Sequence, residues 1–322
     1  MKLASRNEGA DGRLLIVSRD LTHAVPAEAA VTLQTALDDW DAVAPALDAQ
    51  YRALNDGTAA GAVPLDPASL AAVLPRAYQF LDASAFLAHN FILAEAWRYE
   101  RRTPVDPPLI YQGLSDRFYP PHGDVPFRST EDGIDFEAEF GVIVDRVPLG
   151  TAPADALDHV RLVLLLNDWS LRAFGPEEMK GGFGFIQAKP PSALSGIAVT
   201  PDELGPAWAD GHVHLAVTVT RGDERFGIPH GGEMTYGFDR LIAHAAATRD
   251  LCAGTVLGSG TVSNADAATV GSACIAERRG LDTIAGVEPV PFLDFGERVR
   301  IEAFDAAGES VFGVLDHRIV PR

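Results

Sequence analysis

The sequence predicts an α+β protein in which strands dominate. A small N-terminal α+β unit is expected over residues 1–75, and a larger, mostly β region over residues 76–322. Three observations predict this fold class. Short apolar segments broken by turn residues recur through the second region. Helical spacing of apolar residues is rare there, so the βαβα rhythm of a doubly wound sheet is missing. The first region pairs one strand with one long amphipathic segment and ends in a stretch rich in Ala, Pro and Gly.

Residues 13–18, RLLIVS, read as a strand. From 27 to 55 the apolar residues Val31, Leu33, Leu37, Trp40, Val43, Leu47, Tyr51 and Leu54 recur at helical spacing. Asn55-Asp56-Gly57 then stops the pattern. Residues 58–76 read as a linker. Strands are expected over 134–145, 161–167, 194–199, 212–220, 254–257, 273–278, 297–304 and 311–319, and helices over 84–99, 153–160 and 236–249. Long loops are expected at 101–132 and 171–192, a length that is usually functional inside a compact domain. The larger region therefore reads as a curled or rolled sheet.

The composition excludes several classes. The 322 residues are 47% hydrophobic, which suits a globular core, and carry a formal charge of −19. No basic stripe is present, so nucleic-acid binding is not expected. No apolar run approaches the ~20 residues of a membrane-spanning helix. The opening residues, MKLASRNEGADGRLLIVSRD, show no apolar signal core and no cleavage site. Cys252 and Cys274 have neither metal-site spacing nor a disulfide pattern. The expectation is a soluble, reduced, cytoplasmic protein.

One stretch resists a bland reading. GIDFEAEFGVIVDR, from Gly133 to Arg146, alternates like a strand, yet Asp135, Glu137 and Glu139 share one face. Phe136, Ala138 and Phe140 share the other. A buried unpaired charge is too costly to keep, so the acids either face solvent or meet a positive charge. Two further acids are candidates for the same place. Asp168 ends the apolar strand RLVLLLNDWS, where it is either a turn residue or a site residue held on a rigid element. Asp82, in YQFLDASAFLAHN, either caps the following helix or joins the site. Asp82, Glu137, Glu139 and Asp168 together make an all-oxygen ligand set for a hard divalent cation such as Mg²⁺ or Ca²⁺, with Mn²⁺ also accepted. His212 and His214 alternate on another strand but have no third ligand nearby.

These blocks resemble the fumarylacetoacetate hydrolase family, on its fumarylacetoacetase-like branch. The matching segments are Asp82 with His89, LIYQG ending at Gly113, DFEAE from Asp135 to Glu139, NDWSLR from Asn167 to Arg172, FIQAK ending at Lys189, and GSGTVSN from Gly258 to Asn264. They lie in order from about residue 76 to the end. The resemblance implies a mixed β-roll catalytic domain, a homodimer, and one divalent cation on the four carboxylates, with Asp135 as a neighbour.

The resemblance also implies residue roles. His89 would be the general base for water, oriented by an acid, for which Glu277 in a strand reading of 273–278 is the candidate. Lys189 would stabilise negative charge on the substrate, with Lys180 as its competitor. Tyr111, Arg172, Thr261 and Ser84 are candidate substrate contacts. The sequence departs from the family pattern at Ser84, which replaces a tyrosine on the substrate side, at Gly175, and at Pro190-Pro191-Ser192-Ala193. The implied activity is hydrolysis of a C–C bond in a β-diketo acid, with fumarylacetoacetate of tyrosine catabolism as the leading substrate. The alternatives are an acylpyruvate hydrolase, an oxaloacetate decarboxylase, or a 2-oxo-dienoate isomerase or hydratase. A non-catalytic protein pinned by Ca²⁺ is the contrasting class.

Overall fold

The computed structural model describes all 322 residues and shows a mixed α and β architecture. The first strands are β1 (Lys2–Arg6), β2 (Arg13–Val17) and β3 (His23–Pro26). The expected long amphipathic segment forms two helices, α1 (Leu33–Asp38) and α2 (Trp40–Asn55), because Asp39 leaves helical geometry between them. The region read as a linker is instead packed down. It contains the short strand β4 (Val63–Pro64), and Leu70, Ala72, Val73 and Leu74 are buried. Its backbone also bonds to the body of the protein, Val73 N donating to Ser195 O at 3.0 Å.

The second region opens with β5 (Phe80–Ala83), α3 (Leu87–Trp97), β6 (Ile110–Gly113) and β7 (His122–Phe127). The expected loop at 101–132 thus holds two strands. The acidic stretch forms β8 (Ile134–Asp135) and β9 (Ala138–Val144), with Phe136 and Glu137 between them. Then come β10 (Val160–Asn167), α4 (Gly175–Gly181) within the second expected loop, β11 (Ile197–Val199), β12 (Val217–Arg221) and β13 (Glu224–Gly227). The chain ends with α5 (Phe238–Ala245), β14 (Thr255–Gly258), α6 (Ile275–Ala285), β15 (Arg298–Ala303) and β16 (Leu315–Pro321). The strand expected at 273–278 is corrected to the start of α6, and the last strand begins at Leu315 rather than 311.

Two sheets organise the molecule. The larger has eleven strands in the order β4-β3-β2-β1-β11-β10-β9-β14-β5-β6, with Ala193–Leu194 also paired to β10. The N-terminal strands therefore continue the same sheet, β1 pairing antiparallel with β11. The smaller sheet runs β13-β12-β15-β16-β7. Between the sheets lies one apolar core, with Phe140, Val142, Val163, Leu165, Ile301 and Phe312. On the outer face of the large sheet, Ile143, Leu162, Leu164 and Leu166 meet α1 and α2 in a second core. Strands β9 and β10 are buried on both faces, which explains their unbroken apolar runs.

His317 on β16 is buried between the sheets, edge-on to Trp169, with Nε2 2.8 Å from Pro120 O. Burial lowers its pKa to about 4. In the unfolded chain the imidazole protonates near pH 6.5; in the folded protein it stays neutral down to about pH 4. The unfolded state therefore binds the extra proton in this window, and stability falls as pH drops through it, by up to about 3 kcal/mol. Denaturant unfolding of His317→Phe should show a shallower loss of stability between about pH 6.5 and 4 than the wild type. An identical slope would remove His317 as the cause.

Candidate metal centre and active site

Strand register brings four carboxylates to one point. β5 carries Asp82, β9 carries Glu139, Glu137 sits just before β9, and Asp168 follows β10. All four are buried, and their ligand atoms lie within 4.8 Å of one another. Leu166 pairs with Glu139 and Asn167 with Ala138, so Asp168 falls beside Glu137, where its N–H donates to Glu137 O at 3.0 Å. Asp82 is no helix cap, since α3 is capped at Phe86.

One strand separates Asp82 from Glu139. It is β14, and the residue at the crossing is Gly258, paired with Asp82 on one side and Gly141 on the other. A Cβ there would stand 2.2 Å from Asp82 Oδ1 and 2.9 Å from Glu139 Oε2. The two carboxylates meet only because this position has no side chain. The next turn adds a bond, Gly260 N donating to Glu139 Oε2 at 2.9 Å. Gly260 has a φ of +79°, and a Cβ there would stand 2.3 Å from Ala83 O.

The acidic face does meet positive charge. Lys189 Nζ donates to Asp168 Oδ2 at 2.5 Å and to Glu137 Oε2 at 2.8 Å. Arg172 donates through Nη2 to Glu137 Oε1 at 2.5 Å and through Nε to Asp135 Oδ2 at 2.8 Å. Tyr111 Oη and Ser192 Oγ each donate to Asp168 at 2.6 Å. Asn167 Oδ1 accepts the N–H of Glu137 at 3.0 Å. Lys180 is exposed on α4 and takes no part. Thr261 is buried just past Gly260, Ser84 follows β5, and Gly175 opens α4.

The electrostatics are unbalanced. Burial, reinforced by the Asp168 charge, pushes the Asp82 carboxyl far above its usual range. Burial and the Asp82 and Asp168 charges do the same to Glu139. Burial would raise Glu137 as well, but the Lys189 and Arg172 charges outweigh it and hold its pKa low. Burial opposes the charge of Lys189, yet Asp168 and Glu137 keep the ammonium protonated far into the alkaline range.

A divalent cation fits these residues. Asp82 Oδ1 and Glu139 Oε1 are buried without a hydrogen-bond partner, and every donor in the set is a carboxylate oxygen, the choice of hard cations. A bound cation would offset both the burial and the mutual repulsion that raise Asp82 and Glu139.

Beside the cluster stands a second pair. His89 Nδ1, on α3, is 2.8 Å from Glu277 Oε2. Glu277 is fully buried at the third position of α6, not on a strand. Its strand reading fails because residues 273–274 do run along Glu137 and Ala138, and the helix begins only after them. The N-cap is Cys274, whose Sγ accepts from Glu277 N at 3.3 Å. Cysteine is not among the residues that signal a helix start.

Elsewhere, both ring nitrogens of His212 face backbone carbonyls, at 2.6 Å from Asp210 O and 2.9 Å from Met234 O. The histidine pair thus forms no ligand set. A cavity of about 1180 Å³ is lined by Lys2, Arg19, Glu203 and Asp305 among others and includes none of the four carboxylates.

Two variants test the cluster. Glu139→Ala should abolish tight Mn²⁺ binding in titration calorimetry. Gly258→Ala should weaken it roughly 10–100-fold with every ligand still present. Unchanged affinity in Gly258→Ala would show that β14 does not set the spacing.

The chain is similar to known proteins over its whole length. A family profile described as "Fumarylacetoacetate (FAA) hydrolase C-terminal" matches residues 80–320, and one described as "Fumarylacetoacetase N-terminal domain 2" matches residues 1–76. No curated protein sequence matches the chain. Among solved structures, maleylpyruvate hydrolase from Sphingobium sp. SYK-6 in complex with manganese(II) and pyruvate is similar at TM-score 0.66 and 17% identity, covering 100% of this chain and 99% of that one. A 5-carboxymethyl-2-hydroxymuconate delta-isomerase from Mycobacterium smegmatis has TM-score 0.62, 16% identity and coverage of 100% and 99%. Fumarylpyruvate hydrolase from Pseudomonas aeruginosa, in complex with Mn²⁺ and pyruvate, has TM-score 0.55, 13% identity and coverage of 77% and 92%. The profile match runs through β5, β9, β10 and β14, the strands that assemble the carboxylates, and on it the chain belongs to the fumarylacetoacetate hydrolase family.

Proposed function

We propose that the protein is a divalent-cation-dependent hydrolase that cleaves a C–C bond in a β-diketo acid. The His89–Glu277 pair at 2.8 Å carries this reading, because it stands beside a buried carboxylate cluster that suits a cation. A cation on Asp82, Glu137, Glu139 and Asp168 would supply Lewis acidity toward the oxygens of a 1,3-dicarbonyl.

The chain's own residues do the rest. Glu277 accepts the Nδ1 proton of His89 and fixes the tautomer that leaves Nε2 bare. Nε2 takes a proton from water as the water oxygen adds to the acyl carbonyl carbon. The C–C bond then breaks, and its electron pair goes to the carbon beside the remaining ketone. His89 returns its proton to that carbon. One carboxylic acid and one methyl ketone result. The Lys189 ammonium faces the negative charge that develops, and Tyr111 fixes the Asp168 carboxylate while its ring lies 5.4 Å under Lys189. Arg172 is already engaged by Asp135 and Glu137, so its role is to hold the ligand strand, and a free grip on substrate falls to other groups.

Acylpyruvates come first as substrates. Similar structures that cover the whole chain include a maleylpyruvate hydrolase, and Ser84, Gly175 and Pro190-Pro191 depart from the fumarylacetoacetase pattern. Fumarylacetoacetate shares the 1,3-dicarbonyl and is the second candidate. The native cation is Mg²⁺, Ca²⁺ or Mn²⁺. A homodimer belongs to the same reading, and α3 supports it: its sequence is mostly apolar, yet only Leu87 and Ala94 are buried. No helix is long and apolar enough to cross a membrane.

Cation-loaded protein should consume maleylpyruvate and fumarylpyruvate faster than fumarylacetoacetate, followed by loss of diketone absorbance, and EDTA should stop the reaction. His89→Gln should keep Mn²⁺ affinity and lose turnover by about 10²–10⁴-fold. Normal turnover in that variant would reject the general base. Isomerised but uncleaved product would move the protein to the isomerase side of the family.

A further inference from the structure

Asp135 is one of the least exposed charged residues in the protein, and the proposed mechanism does not use it. Its carboxylate has three partners on two different elements. Oδ1 accepts from Ile275 N at 2.7 Å, and Oδ2 accepts from Ala276 N at 2.9 Å. These are the first two N–H groups of α6, the ones a helix leaves without internal partners. Oδ2 also accepts from Arg172 Nε at 2.8 Å, and the other arm of that guanidinium holds Glu137. The third N–H of α6 belongs to Glu277 and goes to Cys274 Sγ.

The side chain that would normally cap α6 is a weak sulfur acceptor on one N–H. Asp135 supplies the strong, charged acceptor for the other two, from a strand distant in sequence. The position of the Glu277 backbone therefore depends on Asp135. So does the place of Glu277 Oε2 against His89 Nδ1. The same carboxylate locks Arg172, and through it Glu137, on the other side.

We propose that Asp135 is a positioning residue that ties the His89–Glu277 pair to the ligand-bearing strand, so that base and cation site keep one fixed separation. The effect on turnover rests on the hydrolase reading above; the effect on the pair does not. Asp135→Asn keeps the shape but turns one accepting atom into a donor that faces backbone N–H groups or Arg172.

The test has two parts. In protein labelled with ¹⁵N-histidine, the wild type should show a low-field, slowly exchanging proton on His89 Nδ1, assigned by its loss in His89→Gln. Asp135→Asn, still folded by circular dichroism, should lose or strongly shift that proton. If Asp135→Asn does not fold, Asp135→Ser, which offers the helix a short neutral acceptor, should give the same result. The second part is a double-mutant cycle at saturating Mn²⁺. Asp135→Asn alone should lower kcat by about 10²-fold, the scale of a misplacement near 1 Å, and should add almost nothing in a His89→Gln background. An unchanged His89 proton, or a full additional loss in that background, would overturn the proposal. If wild-type protein shows the proton but cleaves no diketo acid, the hydrolase reading fails while the first part still decides the role of Asp135.

Discussion

Five carboxylates at one end of a sheet must be kept out of water, and the surrounding structure follows from that. An isolated buried charge is expensive enough that a protein would rather protonate it than hold it. Here Lys189 and Arg172 are drawn in, Tyr111 and Ser192 turn their hydroxyls toward Asp168, and α6 aims its first N–H groups at Asp135. Still the acids outnumber the cations, and Asp82 and Glu139 keep oxygens with no partner. The deficit is what a divalent cation would fill. In this sense the loops, the helix start and the lysine answer one electrostatic demand.

How much of this can be read from the sequence depends on whether the signal is local. The alternation of Glu137 and Glu139 follows from the period of a strand, so a shared face was readable without the fold. The runs at β9 and β10 were readable from their unbroken apolar character, the mark of strands buried on both faces. The resemblance favours Lys189 over Lys180, and in the folded protein Lys189 lies on the carboxylates. What stayed hidden depends on tertiary contact. α6 looked like a strand because Cys274 is a poor start signal and its real cap, Asp135, lies far away in sequence. Gly258 carries no local signal of its packing role, since the atoms that would clash with a Cβ belong to other strands. Ser192 counted as a departure from the family pattern and turns out to hold Asp168. Strands β6 and β7 vanished into an apparent loop because they are short and polar, and their partners β5 and β16 supply the pairing.

Structures of the same fold are described as a hydrolase and as an isomerase, and a shared chemical demand makes that easy. A carboxylate cage and a charged lysine serve any reaction that builds negative charge on a dicarbonyl. What distinguishes outcomes is the group that moves a proton and where it stands. In the mechanism proposed above that group is His89, held from behind by a fully buried glutamate, and its reach would decide whether water or substrate carbon is addressed.

The crossing of β14 between β5 and β9 also says something about how the protein is made. Asp82 and Glu139 are both translated long before Gly258, yet they become neighbours only through the strand that ends there. On a ribosome delivering residues in order, the nascent chain carries its acids without a cage for most of its synthesis. Long-range pairing of this kind is slow, because loop closure must precede any gain in contacts. The carboxylate cluster therefore completes only after β14 has joined the sheet, and a cation held by all four acids would act as a lock on a sheet that is already closed.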